Sequence, residues 1–108
     1  MPRMDSLEMG ELTDTALYIL LALVEERHGY SIMQTIEELT EGKFALGPAS
    51  LYTTIKKLAS AELIKPTASG GDKRKTYVAT EKGIQLLQTE LDRRREIIKH
   101  AESVLNNG

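Results

Sequence analysis

Apolar residues in the first half of the chain recur at the spacing of helices. From Ala16 to Val24 every residue is apolar or tyrosine, and a helix that is apolar all round has to be covered on more than one side. Thr13 is suited to cap this helix and Asp14 to its first turn, and we expect the helix to end at His28-Gly29. In so short a chain, a second subunit is a natural cover for it.

Two further helices follow, separated by a short loop. The first runs from Tyr30 to Thr40, stops at Gly42, and carries an apolar stripe made of Ile32, Met33, Ile36 and Leu39. Pro48 fits the first position of the next helix, in which the i, i+4, i+7 spacing defines one narrow buried stripe of Leu51, Ile55 and Leu58. The opposite face of this third helix is polar, positive and free of acidic residues.

The second half of the chain begins with two short strands and ends in a long helix. Leu63 to Thr67 is a short strand candidate, Thr76 to Thr80 is β-branched and aromatic enough for a return strand, and Gly70-Gly71 lies in the turn between them, so they predict a hairpin. Pro66 places the first strand at an edge. The last helix begins after Thr80 and runs to the final residues, a length of about 39 Å at 1.5 Å per residue.

Apolar residues on that last helix follow a 3-4 spacing, which is typical of a helix that packs against a partner helix. Together with the all-apolar first helix, this spacing predicts a homodimer. Its interface should contain Leu17, Leu21, Ile84, Leu87, Leu91, Ile98 and Leu105.

The order of the elements predicts a mainly α fold with an α+β wing, a winged helix-turn-helix with a long C-terminal dimerisation helix. We expect residues 1–80 to form the winged helix-turn-helix DNA-binding domain and residues 81–108 the dimerisation helix, in one compact unit.

Charge is distributed unevenly along the sequence. The formal net charge is −2, but residues 1–42 sum to −7, residues 43–75 to +5 and residues 76–108 to zero. Because the field near a nucleic acid depends on local charge, a basic middle third in an acidic chain is typical of a local phosphate-binding face.

The residues expected to contact double-stranded DNA lie on the third helix and in the turn of the hairpin. A helix that enters the major groove needs small side chains where its backbone approaches the bases, and then hydroxyl and ammonium groups. On the helix these requirements are met by Ala49, Ser50, Thr53, Lys56 and Lys57, with Tyr52 suited to bond a phosphate. On the wing they are met by Lys73, Arg74 and Lys75.

Several chemistries are disfavoured. The chain has no cysteine, so a disulfide or a thiolate site is excluded. Its two histidines each have one nearby glutamate, which gives no three-ligand metal site from nearby sequence, and no phosphate-binding glycine loop is present. We therefore expect no enzyme activity, metal or cofactor.

The longest apolar run has nine residues, whereas ~20 are needed to span a bilayer. We therefore expect no membrane contact and a cytoplasmic location.

Five blocks of the sequence agree in order and spacing with one family of regulators. They are LYILLAL at 17–23, HGYSI at 28–32, GPASLYTTIKKL at 47–58, KRKTY at 73–77 and TEKG at 80–83. Over roughly residues 10–90 the chain resembles PadR-type regulators. The resemblance implies a winged helix-turn-helix homodimer, joined through its C-terminal helix, that usually represses its targets. With a single C-terminal helix the chain resembles the small subgroup of the family.

The sequence departs from the family pattern in three respects. Thr76 stands where a second aromatic residue is frequent and Ala79 where leucine is common. Some small members bind flat aromatic compounds at the dimer centre through a tryptophan of the last helix, and this chain has none. The chain therefore lacks the residue that such a stacking site uses, and a small-molecule effector stays one of the alternatives.

Two alternatives remain beside a DNA-binding repressor of this type. A winged-helix module that pairs with another protein would show acidic or exposed apolar residues on the outer face of the third helix, where this chain has threonine and lysine. Dimers of the MarR type usually have more helix before the winged unit.

A two-fold dimer also predicts an operator that is an inverted repeat.

Overall fold

The computed structural model describes residues 12–67 and 75–107. Along the chain they form α1 (Asp14–Ala22), β1 (Arg27–His28), α2 (Gly29–Leu39), α3 (Pro48–Ser60), β2 (Ile64–Thr67), β3 (Thr76–Ala79) and α4 (Glu81–Asn106). The prediction of a mainly helical chain with a small antiparallel wing is confirmed. Among the helices of these residues, none has the length and apolar character needed to cross a membrane.

The wing is a three-stranded antiparallel sheet in the order β1-β3-β2. Pro66 lies opposite Tyr77 in the register of β2 with β3, and β2 is an edge strand as predicted from that proline, which has no N–H for a second neighbour. The third strand was not predicted. It has only two residues, Arg27 and His28, which is too short for a β pattern to be visible in the sequence.

The predicted end of the first helix is wrong. Helix α1 ends at Ala22, where the Leu23 amide closes the last turn on the carbonyls of Ile19 and Leu20. His28 instead precedes α2 as its N-cap, and its Nδ1 accepts the Ser31 amide at 3.4 Å. The His28-Gly29 pair therefore starts a helix rather than ending one.

The core surrounds α1 on several sides. Ile19, Leu20 and Leu23 are completely buried, and α2, α3 and α4 all pack against this helix. The expectation that α1 needs a second subunit for cover is therefore corrected. Two residues assigned to the dimer interface are corrected with it: Leu17 is 6% exposed and Leu87 is 5% exposed, so both belong to the core of the single chain and have almost no surface left for a partner.

Helix α4 begins in close contact with the turn that leads into β2. Thr80 caps it by accepting the Gly83 amide at 3.1 Å, and the same hydroxyl donates to the Glu62 carbonyl at 2.7 Å. A Cβ on Gly83 would lie well inside van der Waals distance of the Leu63 carbonyl oxygen. Only glycine allows the helix and the turn to approach this closely.

Candidate nucleic-acid interface

Helix α3 has one buried face and one exposed face. Leu51, Ile55 and Leu58 are buried in the core, which fixes the rotation of the helix about its axis. Pro48 occupies the first turn after the N-cap Gly47, as its fixed φ favours. All six residues of α3 predicted to contact DNA are exposed on the outer side: Ala49, Ser50, Tyr52, Thr53, Lys56 and Lys57.

The lysines of this face are available for a polyanion. Within residues 12–67 and 75–107, neither Lys56 nor Lys57 forms an ion pair with a carboxylate. Lys75, just before β3, is also exposed and equally without an ion pair there. Lys73 and Arg74, the other two predicted wing residues, lie outside the described residues.

A groove of about 380 Å³ joins α3 to the wing and to the start of α2. We call it the tyrosine groove; it is lined by His28, Gly29, Tyr30, Tyr52, Lys75 and Tyr77. It brings together Tyr52 and Lys75, which are 23 positions apart in the sequence. Gly29 makes the arrangement possible, because a Cβ at that position would lie 2.5 Å from the Tyr52 hydroxyl oxygen. The sequence did not reveal that His28, Gly29, Tyr30 and Tyr77 join this surface.

A second groove, of about 400 Å³, lies between the start of α1 and the first half of α3. We call it the threonine groove; it is lined by Thr13, Thr15, Ala49, Ser50, Thr53 and Thr54. Three of the predicted DNA-contacting residues of α3 therefore share this groove with Thr13, the N-cap of α1, and Thr15 of its first turn. Sequence reasoning assigned Thr13 only a capping role, which it does have, since its Oγ1 accepts the Ala16 amide at 3.1 Å.

A buried carboxylate fastens α4 to the start of α1. Glu90 is 1% exposed and receives a bidentate pair from Arg93 at 2.8 and 2.7 Å and one bond from Arg94 at 3.1 Å. These guanidinium groups, with a backbone hydrogen bond from Leu12, outweigh the effect of burial and lower the pKa of Glu90 to about 2. The carboxylate is therefore charged at neutral pH and held by its partners.

Arg94 completes this cluster from the other side. Its Nη1 donates to the Asp14 carboxylate at 2.8 Å and its Nη2 to the Leu12 carbonyl at 2.7 Å. The bond with Asp14 is the main cause that raises the pKa of Arg94. The sequence did carry a signal for the cluster: Gly83, Leu87, Glu90 and Arg94 follow the i, i+4, i+7, i+11 spacing of one helix face, which should have marked the last two as inward-facing.

Comparison with known families decides what kind of protein carries this surface. Residues 17–89 match the family described as the transcriptional regulator PadR-like family, and this match covers well over half of the chain. The chain belongs to the PadR-like family.

Individual relatives of this PadR-like chain agree with that result. It is 35% identical to the transcriptional regulator YqjI of Escherichia coli over 79 residues, which are 73% of this chain and 37% of YqjI. The chain thus matches little more than a third of the length of that relative. The structure of a PadR family transcription regulator from Clostridium difficile has a TM-score of 0.73 at 26% identity, covering 86% of this chain and 99% of that one.

A further solved structure supports the fold alone. A transcriptional regulator from Clostridium thermocellum has a TM-score of 0.68 at 23% identity, covering 86% of this chain and 87% of that one. The resemblance to PadR-type regulators and the winged helix-turn-helix fold are confirmed. The family that residues 17–89 match is one of transcriptional regulators. Among the residues that the structure describes, no three metal-ligating side chains of His, Asp or Glu are grouped together.

The remaining residues predicted for a dimer interface of this PadR-like chain differ in their exposure to solvent. Leu21, Ile84 and Leu91 are half-buried, whereas Ile98 is 56% exposed and Leu105 is 77% exposed. The second half of α4 presents further exposed apolar residues that sequence reasoning left out, namely Ile97 and Val104. With Ala101 they form what we call the distal strip: Ile97, Ile98, Ala101, Val104 and Leu105.

Proposed function

We propose that this PadR-like chain binds double-stranded DNA as a homodimer and represses transcription by occupying an operator. The observation that carries the proposal is the outer face of α3. That face is exposed, contains no acidic residue, and holds two lysines that form no ion pair within the described parts of the chain. A helix of this kind before a β wing is the element that enters the major groove in helix-turn-helix proteins.

Each end of α3 has a different task in the proposal. Ala49 and Ser50 are small and let the first turn approach the base edges, and Thr53 and Lys56 contact bases. Lys57 is further along the same face and neutralises a phosphate. Because hydroxyl and ammonium groups bind phosphate oxygens without reading sequence, the Tyr52 hydroxyl and the Lys75 ammonium group fix the register of the helix from the tyrosine groove.

The wing supplies additional cations in this proposal. Lys73 and Arg74, which lie outside the described residues, contact the DNA backbone or the minor groove next to Lys75. Substitutions there should weaken binding to all DNA sequences equally, whereas substitutions of Thr53 or Lys56 on α3 should reduce sequence preference.

The distal strip supports the homodimer. It presents five apolar residues to solvent on one helix, and buried apolar area stabilises by about 25 cal/mol per Å². A second copy offers the same strip in a two-fold arrangement. The interface therefore centres on Ile98 and Leu105, with Leu21, Ile84 and Leu91 at its near end. In this scheme residues 1–80 bind DNA and residues 81–108 supply most of the dimer interface.

Two copies of α3 related by a two-fold axis should bind an inverted repeat with half-sites about one helical turn, ~34–36 Å, apart. About three cations per subunit that reach phosphates would give a slope of roughly −5 in a plot of log affinity against log salt concentration.

We further propose a cytoplasmic location and a small-molecule effector. The effector must bind the DNA-free dimer differently from the bound one, since equal binding shifts no equilibrium.

Selection of bound sequences from random duplex DNA tests this function and yields the operator. Titration of the selected operator against random DNA should then show that Lys56→Ala and Thr53→Ala lower the ratio of specific to random binding more than Lys73→Ala does. Lys99→Ala, an exposed lysine on α4, serves as the control and should change neither affinity. Selection that enriches no sequence, or a footprint over a single half-site, would contradict the proposal.

A further inference from the structure

The segment Leu12–Thr15 is hydrogen-bonded to α4 and lines a groove together with α3. On one side, Arg94 of α4 donates to the Leu12 carbonyl at 2.7 Å and to the Asp14 carboxylate at 2.8 Å. On the other side, Thr13 and Thr15 line the threonine groove with Ala49, Ser50 and Thr53 of α3. A residue of the long helix thus holds the segment that borders the outer face of α3.

The threonine groove has the chemistry of a surface for the sugar-phosphate backbone. It is about 400 Å³ in volume, its lining contains no charged side chain, and five of its six lining residues carry a hydroxyl group. Threonine and serine hydroxyls donate hydrogen bonds to phosphate oxygens, and such contacts fix the orientation of a protein on a duplex. The groove is also continuous with Ala49, Ser50 and Thr53, which the proposed function places against DNA.

The charge of Asp14 is the obstacle to a phosphate at this place. Asp14 lies between the two threonines in the sequence, and its side chain is 68% exposed. A free carboxylate within a Debye length of about 8–10 Å repels a phosphate. In the structure this carboxylate is paired with Arg94, so its charge is neutralised by a group that also fixes its position.

We infer that Thr13 and Thr15 bind the DNA backbone beside α3, and that Arg94 is a positioning residue that holds this segment and neutralises Asp14. The inference rests on the proposed function and extends the DNA-binding surface beyond α3 and the wing. It assigns Arg94, which bonds to Leu12 and Asp14 and does not line the threonine groove, an effect on operator affinity without direct contact.

The decisive experiment measures operator affinity for five variants of the full chain at one salt concentration. Thr15→Val removes one hydroxyl from each subunit at nearly constant shape and should weaken operator binding by the dimer at least about 5-fold, since two hydrogen bonds are lost. Thr89→Val, an exposed threonine of α4, is the matched control and should bind as the wild type does. Arg94→Met should weaken binding by about 10-fold, because it releases the segment and exposes the charge of Asp14.

The last two variants distinguish the effect of the Asp14 charge on operator affinity from a loss of folded structure. Asp14→Asn alone should bind at least as tightly as the wild type, and Asp14→Asn with Arg94→Met should recover at least half of the loss on a logarithmic scale. A merely structural ion pair predicts the opposite, since Asp14→Asn would then weaken binding as Arg94→Met does. Circular dichroism and light scattering on each variant identify any loss of helix or change of mass.

The outcomes separate this inference from the function on which it rests. If the wild type selects no operator, the proposed function fails. If the wild type binds its operator and Thr15→Val binds equally well, the threonine groove is not part of the interface. If the double variant binds no better than Arg94→Met, the role of Arg94 in neutralising Asp14 is refuted while the function stands.

Discussion

Replacing Glu90 with glutamine should remove the part of the pH dependence of the free energy of unfolding that comes from this carboxylate. The carboxylate of Glu90 is buried, accepts hydrogen bonds from Arg93 and Arg94, and has a pKa lowered from 4.5 to about 2. A lowered pKa means that the charged form is favoured in the folded state. The resulting stabilisation is complete above the unfolded value of 4.5 and is lost as the pH falls toward 2.

The size of the effect follows from the same two values. One pKa unit corresponds to about 1.4 kcal/mol, so a shift from 4.5 to about 2 contributes about 3 kcal/mol to the free energy of unfolding at pH 7. Because small domains are stable by only about 5–15 kcal/mol, the loss is a large fraction of the total. Glutamine keeps the shape of the side chain but loses the charge that both guanidinium groups bind.

The assay is urea unfolding followed by circular dichroism for wild type and Glu90→Gln at several pH values between 7 and 2.5, at one protein concentration because association affects stability. The two free energies should differ by about 3 kcal/mol at pH 7 and converge as the pH approaches 2. Glu102→Gln, an exposed glutamate of the same helix, controls for the general loss of an acidic group. A difference that stays constant from pH 7 to pH 2.5 would refute the reasoning, because it would show that packing and not charge carries the stabilisation.

Three other predictions follow from contacts already described. Gly83→Ala places a Cβ against a backbone carbonyl that cannot rotate away and should cost about 1–3 kcal/mol or more, whereas Gly47→Ala, where a Cβ meets nothing within 4 Å, should lower the melting temperature far less. Gly29→Ala meets only the end of the Tyr52 side chain, so it should displace that ring and weaken DNA binding several-fold with little change in melting temperature; an unchanged affinity would remove Tyr52 from the proposed interface. Ile98→Lys should convert the proposed dimer to monomer at micromolar concentration in light scattering, and a wild type that is already monomeric would contradict the dimer.

Local patterns of the sequence predicted those elements whose start and buried face depend only on their own residues. The stripe of Leu51, Ile55 and Leu58 gave both the extent of α3 and the face that is exposed, because a helix period shows in any run of this length. Pro48 and Thr80 marked the starts of α3 and α4 for equally local reasons. The exposed half of the candidate site on α3 was therefore accessible from the sequence.

Features that depend on the packing of distant segments were predicted poorly. His28-Gly29 was interpreted as a helix end from its composition, but β1 and the cap of α2 form because β3 pairs with Arg27 and His28. The apolar surface of α1 suggested a partner subunit because the sequence does not show that three helices of the same chain surround it. The tyrosine and threonine grooves each join residues from separate elements, which no local spacing reveals.

The close contact at Gly83 also has a mechanical consequence. Helix α4 extends for about 39 Å at 1.5 Å per residue, so a rotation of only about 5° where it meets the turn before β2 would move its far end by roughly 3 Å over that length. In the proposed dimer, the distance between the two copies of α3 is therefore set by the angular stiffness of this joint. A methyl group added at Gly83 would rotate α4 at this joint, and the resulting displacement at its far end would change the spacing of the two copies of α3 so that they no longer match the operator.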